Sequence, residues 1–225
     1  MSRLLKFGRK AAASGRARSL VVFLHGYGAN GADLLDIGDV LAPHLPDTVF
    51  VAPDAADRVP GVGAGYQWFP IPQFDGSSPE QAKAGLVRAA ADVSAFLDQR
   101  LAHEKLGSNT SGPEALAIVG FSQGAMMSLH VAPRRARPMA AVVAISGRLL
   151  GPELLAAETV SRPPVLVMHG DQDAVVPFGE MAAAADALVA GGFDTYGHVM
   201  KGMGHGISQD GLASMLAFLK QNLPG

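Results

Sequence analysis

The stretch that most restricts what this chain can fold into is Leu116 to Leu129, Leu-Ala-Ile-Val-Gly-Phe-Ser-Gln-Gly-Ala-Met-Met-Ser-Leu. A short apolar run, Leu116 to Val119, ends in Gly120-Phe121-Ser122-Gln123-Gly124, and small and apolar residues follow at helical spacing. The segment therefore reads as strand, tight turn and helix, the setting in which G-x-S-x-G presents a serine hydroxyl as a nucleophile. The turn is sharp, so a β-carbon at Gly120 or Gly124 would meet the neighbouring strand or helix. Ser122 is expected in a strained backbone conformation that lifts its hydroxyl above the sheet edge. The helix that begins there aims its amide dipoles at whatever the hydroxyl attacks.

Around this stretch, apolar strands and amphipathic helices alternate. Leu20 to Leu24 is a continuous apolar run of the kind buried on both faces of a parallel sheet. It empties into His25-Gly26-Tyr27-Gly28-Ala29-Asn30-Gly31, too glycine-rich for helix or strand. Asp33 is expected to cap a helix with Leu34, Leu35, Ile37, Val40 and Leu41 inward, and Val49 to Ala52 forms the next strand. From Asp54 to Ser77 the periodicity breaks, in a long loop that carries Tyr66, Trp68, Phe69 and Phe74. Trp68 and Phe69 are the candidates for lining a substrate cleft; otherwise the aromatics only fasten the loop to the core.

Ser77 and Glu80 stand at capping-box spacing ahead of a long helix to about His103, with Leu86, Ala90, Val93, Leu97 and Leu101 inward. Gly107 to Pro113 reads as a polar surface connection. Further strands are expected at Ala140 to Ile145, Pro164 to Met168 and Thr195 to Met200. Helices are expected at Phe178 to Ala190, with Met181, Ala185, Leu188 and Val189 inward, and across Leu212 to Leu219. The pattern predicts a single α/β domain over residues 1–225. Its central sheet is mostly parallel with helices on both faces, and active residues sit at the strands' carboxyl ends.

Composition closes off several alternatives. Lys plus Arg number 18 against 20 for Asp plus Glu, so no global field attracts nucleic acid and none is expected as a partner. With no cysteine, disulfides, thiolate metal sites and cysteine nucleophiles are removed together, and neither metal nor cofactor is expected. No apolar run approaches the roughly 18 residues of a membrane span. The basic start is followed only by Ala11 to Ala13, not by a secretory apolar core, so the expected location is cytoplasmic. Arg3, Lys6, Arg9, Lys10, Arg16 and Arg18 precede the first acid, Asp33, and read as a solvated edge hairpin rather than a targeting segment.

A serine hydroxyl needs a neighbouring base and a third group that orients the base. In the order serine, acid, histidine, the candidate bases are His130, His169, His198 and His205. His130 lies on the helix of Ser122 and cannot turn back to it; His169 precedes every plausible acid loop; His198 sits inside an apolar strand. His205, between Gly204 and Gly206 directly after a strand, is at the correct edge. Asp171 and Asp173 both follow the Met168 strand end, and order alone does not separate them. For the oxyanion, one donor is the backbone N–H of Gln123; the second is best placed at Tyr27, in the loop after Leu24.

Four stretches carry a wider resemblance: Leu24-His25-Gly26-Tyr27-Gly28, Gly120-Phe121-Ser122-Gln123-Gly124, His169-Gly170-Asp171-Gln172-Asp173 and Gly202-Met203-Gly204-His205. In this order they resemble the signatures of the compact phospholipase/carboxylesterase family of α/β-hydrolases, which includes the acyl-protein thioesterases. The resemblance implies a serine esterase without a large cap, a triad of Ser122, Asp173 and His205, and a small-molecule ester as substrate. It favours Asp173 over Asp171 as the acid. A long-chain acyl thioesterase or lysophospholipase is the alternative within enzymes, and a non-catalytic binding module on the same fold is the alternative outside them. A homodimer is the candidate oligomer. Gln67-Trp68-Phe69 resembles the family's aromatic loop but is followed by Pro70, where family members often carry an acid.

Overall fold

The computed structural model describes residues 2–61, 63–106 and 112–224. Its strands are β1 (Phe7–Lys10), β2 (Ser19–Leu24), β3 (Thr48–Pro53), β4 (Asp57–Arg58), β5 (Tyr66–Gln67), β6 (Glu114–Phe121), β7 (Met139–Ile145), β8 (Val165–Gly170) and β9 (Thr195–Met200). Its α-helices are α1 (Ala32–Leu35), α2 (Ile37–Leu41), α3 (Pro72–Asp75), α4 (Pro79–His103), α5 (Gln123–Val131), α6 (Leu155–Glu158), α7 (Gly179–Ala190) and α8 (Gln209–Asn222). Seven strands form one sheet in the order β1-β3-β2-β6-β7-β8-β9, parallel throughout except that β1 runs antiparallel to β3.

Every residue of β2, β3, β7 and β8 is buried, which explains their unbroken apolar runs. Alternation of side chains divides them between two cores. Leu20, Val22, Leu24 and Ile118 meet Val93 and Leu97 of α4 and Met127 of α5 on one face. Val21, Phe23, Val119 and Met168 meet Leu41 of α2 and Met215 and Leu219 of α8 on the other. Each fully buried side chain of this size contributes about 1.5–3 kcal/mol. The pairings Leu24 with Gly120, Phe121 with Ile145, Ile145 with Met168 and Gly170 with Met200 bring the carboxyl ends of five strands to one edge.

Several expectations are corrected. The basic N-terminal stretch forms no hairpin with β2, because both edges of β2 are taken by β3 and β6; β1 adds to the free side of β3. Nor are all its charges solvated: Arg3 pairs with Asp57 and Asp92, Arg9 with Glu104 and Lys10 with Asp39. The single helix expected after Asp33 is two short ones. Asp33 takes the Asn30 N–H instead of capping, and the break at Asp36 turns Val40 outward, 53% exposed. Val189, expected inward, is 61% exposed at the end of α7. The capping box is built by Ser78 and Gln81, one residue later than predicted. The long loop after Asp54 contains the β4–β5 ribbon and α3. Of the surface connection at Gly107 to Pro113, residues 107–111 lie outside the described residues.

Candidate active site

The turn between β6 and α5 is as tight as its glycines imply. A β-carbon on Gly120 would run into the carbonyl of Gly124, and one on Gly124 into the carbonyl of Leu24. Between them Ser122 is held at φ 54, ψ −116, a conformation sparsely populated by any residue with a side chain. It is fixed from below by its own N–H, which donates to Ile145 O at 2.8 Å. The loop after β2 passes close by: a β-carbon on Gly26 would lie 3.3 Å from Ser122 Cβ.

Two amides beside the serine have no hydrogen-bond partner among the described residues. The N–H of Gln123 is one of the orphan donors at the start of α5, and the N–H of Tyr27 has no hydrogen-bond partner among the described residues. The Tyr27 loop is stiffened by its neighbours, since Gly28 N donates to Tyr66 O at 2.8 Å and Tyr66 N to Ala29 O at 2.9 Å. Within it, His25 is fully buried. Its Nε2 accepts the Ala55 N–H at 3.0 Å, which assigns the proton to Nδ1, 2.7 Å from Gly26 O. Burial pushes the His25 imidazole below its usual range.

The two acids of the β8 loop part company. Asp171 Oδ1 accepts the Gly202 N–H at 2.7 Å and so braces the loop that carries His205. Asp173 is buried, and its Oδ2 lies 2.7 Å from His205 Nδ1. Its Oδ1 accepts the amides of Val175 and Val176 at 2.8 and 2.9 Å. Burial alone would raise the Asp173 carboxyl, but the hydrogen bonds from His205, Val176 and Val175 outweigh it and hold the group below its ordinary value. The His205 ring packs against Phe121, centroids 4.9 Å apart, and its Nε2 is left without a hydrogen bond among the described residues.

Ser122, His205, Tyr27 and Gln123 all line one cavity of about 540 Å³. Its walls are largely apolar: Phe69 to Phe74 on one side, Met126, Leu150 and Val175 to Pro177 on others. Of the aromatic pair expected there, Phe69 lines the cavity and Trp68 does not. Trp68 is 1% exposed, and its indole N–H donates to His25 O at 2.9 Å, so it fastens the loop to the core. The residue that sequence reasoning missed is the side chain of Gln123. Its Oε1 accepts the Trp68 N–H at 2.9 Å and its Nε2 donates to Phe69 O at 2.7 Å. The available signal was a long polar side chain where only a backbone amide was required. The other histidines lie elsewhere: His130 on the far turns of α5, and His198 between Asp210 and Ser214.

The comparison with known proteins matches this architecture. A family model described as phospholipase/carboxylesterase covers residues 10–223. The chain belongs to the phospholipase/carboxylesterase family. It is thereby a hydrolase of carboxylic esters on the α/β-hydrolase fold. It is 29% identical to esterase YpfH of Escherichia coli over 209 residues, 92% of this chain and 84% of that protein. It is 28% identical to acyl-protein thioesterase 1 of Saccharomyces cerevisiae over 228 residues, 96% of this chain and 97% of that one. The crystal structure of esterase PE8 superimposes with a TM-score of 0.89 at 42% identity, covering 97% of this chain and 99% of that one.

Proposed function

We propose that the protein is a serine carboxylesterase working through an acyl-enzyme on Ser122, with His205 as base and Asp173 as the group that orients it. The observation that carries this reading is the 2.7 Å contact between Asp173 and His205 at the cavity that Ser122 and two unpaired amides share. His205 Nε2 takes the Ser122 proton as Oγ attacks the ester carbonyl carbon. The resulting oxyanion is received by the N–H groups of Tyr27 and Gln123. Collapse breaks the bond to the alcohol oxygen, which leaves with the proton from Nε2. Water then gives a proton to Nε2 and attacks the acyl-enzyme; the bond between Oγ and the acyl carbon breaks, Nε2 returns the proton to Oγ, and the acid leaves with Ser122 restored. The apolar walls suit an uncharged acyl chain.

Turnover of a p-nitrophenyl ester by Ser122→Ala tests the mechanism. The expected result is loss of activity with the fold intact by circular dichroism; turnover near that of the parent would sink it. A second reading, hydrolysis of long-chain acyl thioesters, is favoured by the similarity to acyl-protein thioesterases together with the size of the apolar cavity. A series of acyl chain lengths offered as oxygen esters and thioesters separates the two, a steep rise toward long thioesters favouring the second.

A further inference from the structure

Asp173 has a second imidazole beside it. His169, in β8, is fully buried, and its Nε2 lies 3.0 Å from Val176 O and 3.3 Å from Asp173 Oδ2. Both neighbours are acceptors, so this nitrogen carries the proton; the tautomer is assigned from the partners. The other nitrogen, Nδ1, is buried with no partner among the described residues, and the Phe178 ring stands edge-on at 6.1 Å. A space filler would have no reason to be polar here, since an apolar side chain would occupy the same volume without stranding a nitrogen. The Nε2–H therefore has work to do on the other side of the ring.

That side is occupied by the triad acid and its loop. The Val176 carbonyl is held by His169, while the Val176 amide donates to Asp173 Oδ1 at 2.9 Å. Asp173 Oδ2 lies between His205 Nδ1 at 2.7 Å and the His169 proton. One carboxylate oxygen is thus fixed through Val176, and the other has the same buried ring 3.3 Å away, a ring that never reaches the cavity. We infer that His169 is a positioning residue: it sets the rotation of the Asp173 carboxylate and anchors the Val175 to Pro177 wall through the Val176 carbonyl. This rests on the reading of Asp173 and His205 as acid and base.

The test is a double-mutant cycle. His169→Leu removes the donor at similar bulk, and we expect kcat to fall about thirtyfold, a part of what loss of the acid costs in such triads. His169→Gln, which keeps an N–H donor, is expected to recover at least tenfold of that. In an Asp173→Asn background His169→Leu is expected to cause no further loss, because the residue acts through the carboxylate. An equal loss in both backgrounds, or no loss in a folded His169→Leu protein, overturns the inference. If the Leu variant fails to fold, the unmutated protein decides the matter: histidine-labelled 15N NMR must show His169 protonated at Nε2, and the Nδ1–H form overturns the proposal. Failure of the wider reading would show separately, as turnover surviving Ser122→Ala.

Discussion

The Gln123 side chain grips the Trp68 backbone, Oε1 accepting the Trp68 N–H at 2.9 Å, one residue from the serine whose hydroxyl the cavity receives. Its amide group also donates to Phe69 O, so the residue whose backbone N–H is the proposed oxyanion donor also holds a wall of the cavity. Gln123→Ala keeps the backbone donor and releases the loop. Two buried hydrogen bonds at a net of roughly 1 kcal/mol each give an expected destabilisation of about 2 kcal/mol by urea unfolding. The kinetic loss should fall mainly on KM, with Trp68 fluorescence shifting to the red. A loss confined to kcat would show that the loop does not depend on this side chain.

Asp171 and Asp173 are two residues apart and bound for different duties. Asp173→Asn should leave His205 in the wrong tautomer and lower kcat by about three to four orders of magnitude, the size seen for acids of such triads. Asp171→Asn keeps an oxygen to accept the Gly202 N–H and loses only its charge, so it should cost less than about tenfold, on the scale of one ordinary hydrogen bond. Side-by-side kinetics with one ester decide the assignment, and the reverse order overturns it.

His130 gives the protein a built-in sensitivity to mild acid. Burial first, and then the neighbouring Arg134, push its imidazole down to about 4. In the unfolded chain the group titrates near 6.5, so between about 6.5 and 4 the unfolded state binds a proton that the folded state refuses. Stability is therefore lost as the pH falls through that window. His130→Gln should flatten the difference in urea midpoint between pH 7 and pH 4.5. An unchanged difference would place the sensitivity elsewhere.

Gly124→Ala is expected to give little soluble protein, because its methyl group would overlap the Leu24 carbonyl in the middle of the sheet edge. Gly179→Ala, at a position where an added β-carbon has no heavy atom within 4 Å, is the matched control and should express normally. Equal yields of the two would mean that the elbow relaxes more readily than its packing indicates.

The parts of this structure that were legible in the sequence are those where one physical demand acts alone. β2, β3, β7 and β8 announce themselves because both faces are buried, and the elbow because only glycine fits beside Ser122. What was not legible depends on neighbours far away in the chain. β1 has an edge pattern that fits any free strand, and which one is open depends on the order of the whole sheet. Ser77 with Glu80 and Ser78 with Gln81 have the same spacing, and the phase of one turn chooses between them. An aromatic type says nothing of which way it faces, so Trp68 and Phe69 look alike until Gln123 and His25 are placed beside them. His169 was set aside by chain order, a rule about bases that is silent on what holds an acid.

The level ends of five strands have a practical side. Tyr27, Ser122, Asp173 and His205 follow β2, β6, β8 and β9, so the smallest segment that could complete the proposed chemistry spans most of the polypeptide. No fragment ending before the last strand can turn over an ester by this route. For the proposed mechanism hydrolysis is thus a reporter of complete assembly: during refolding, colour from a chromogenic ester should emerge only after the final parallel strand has docked.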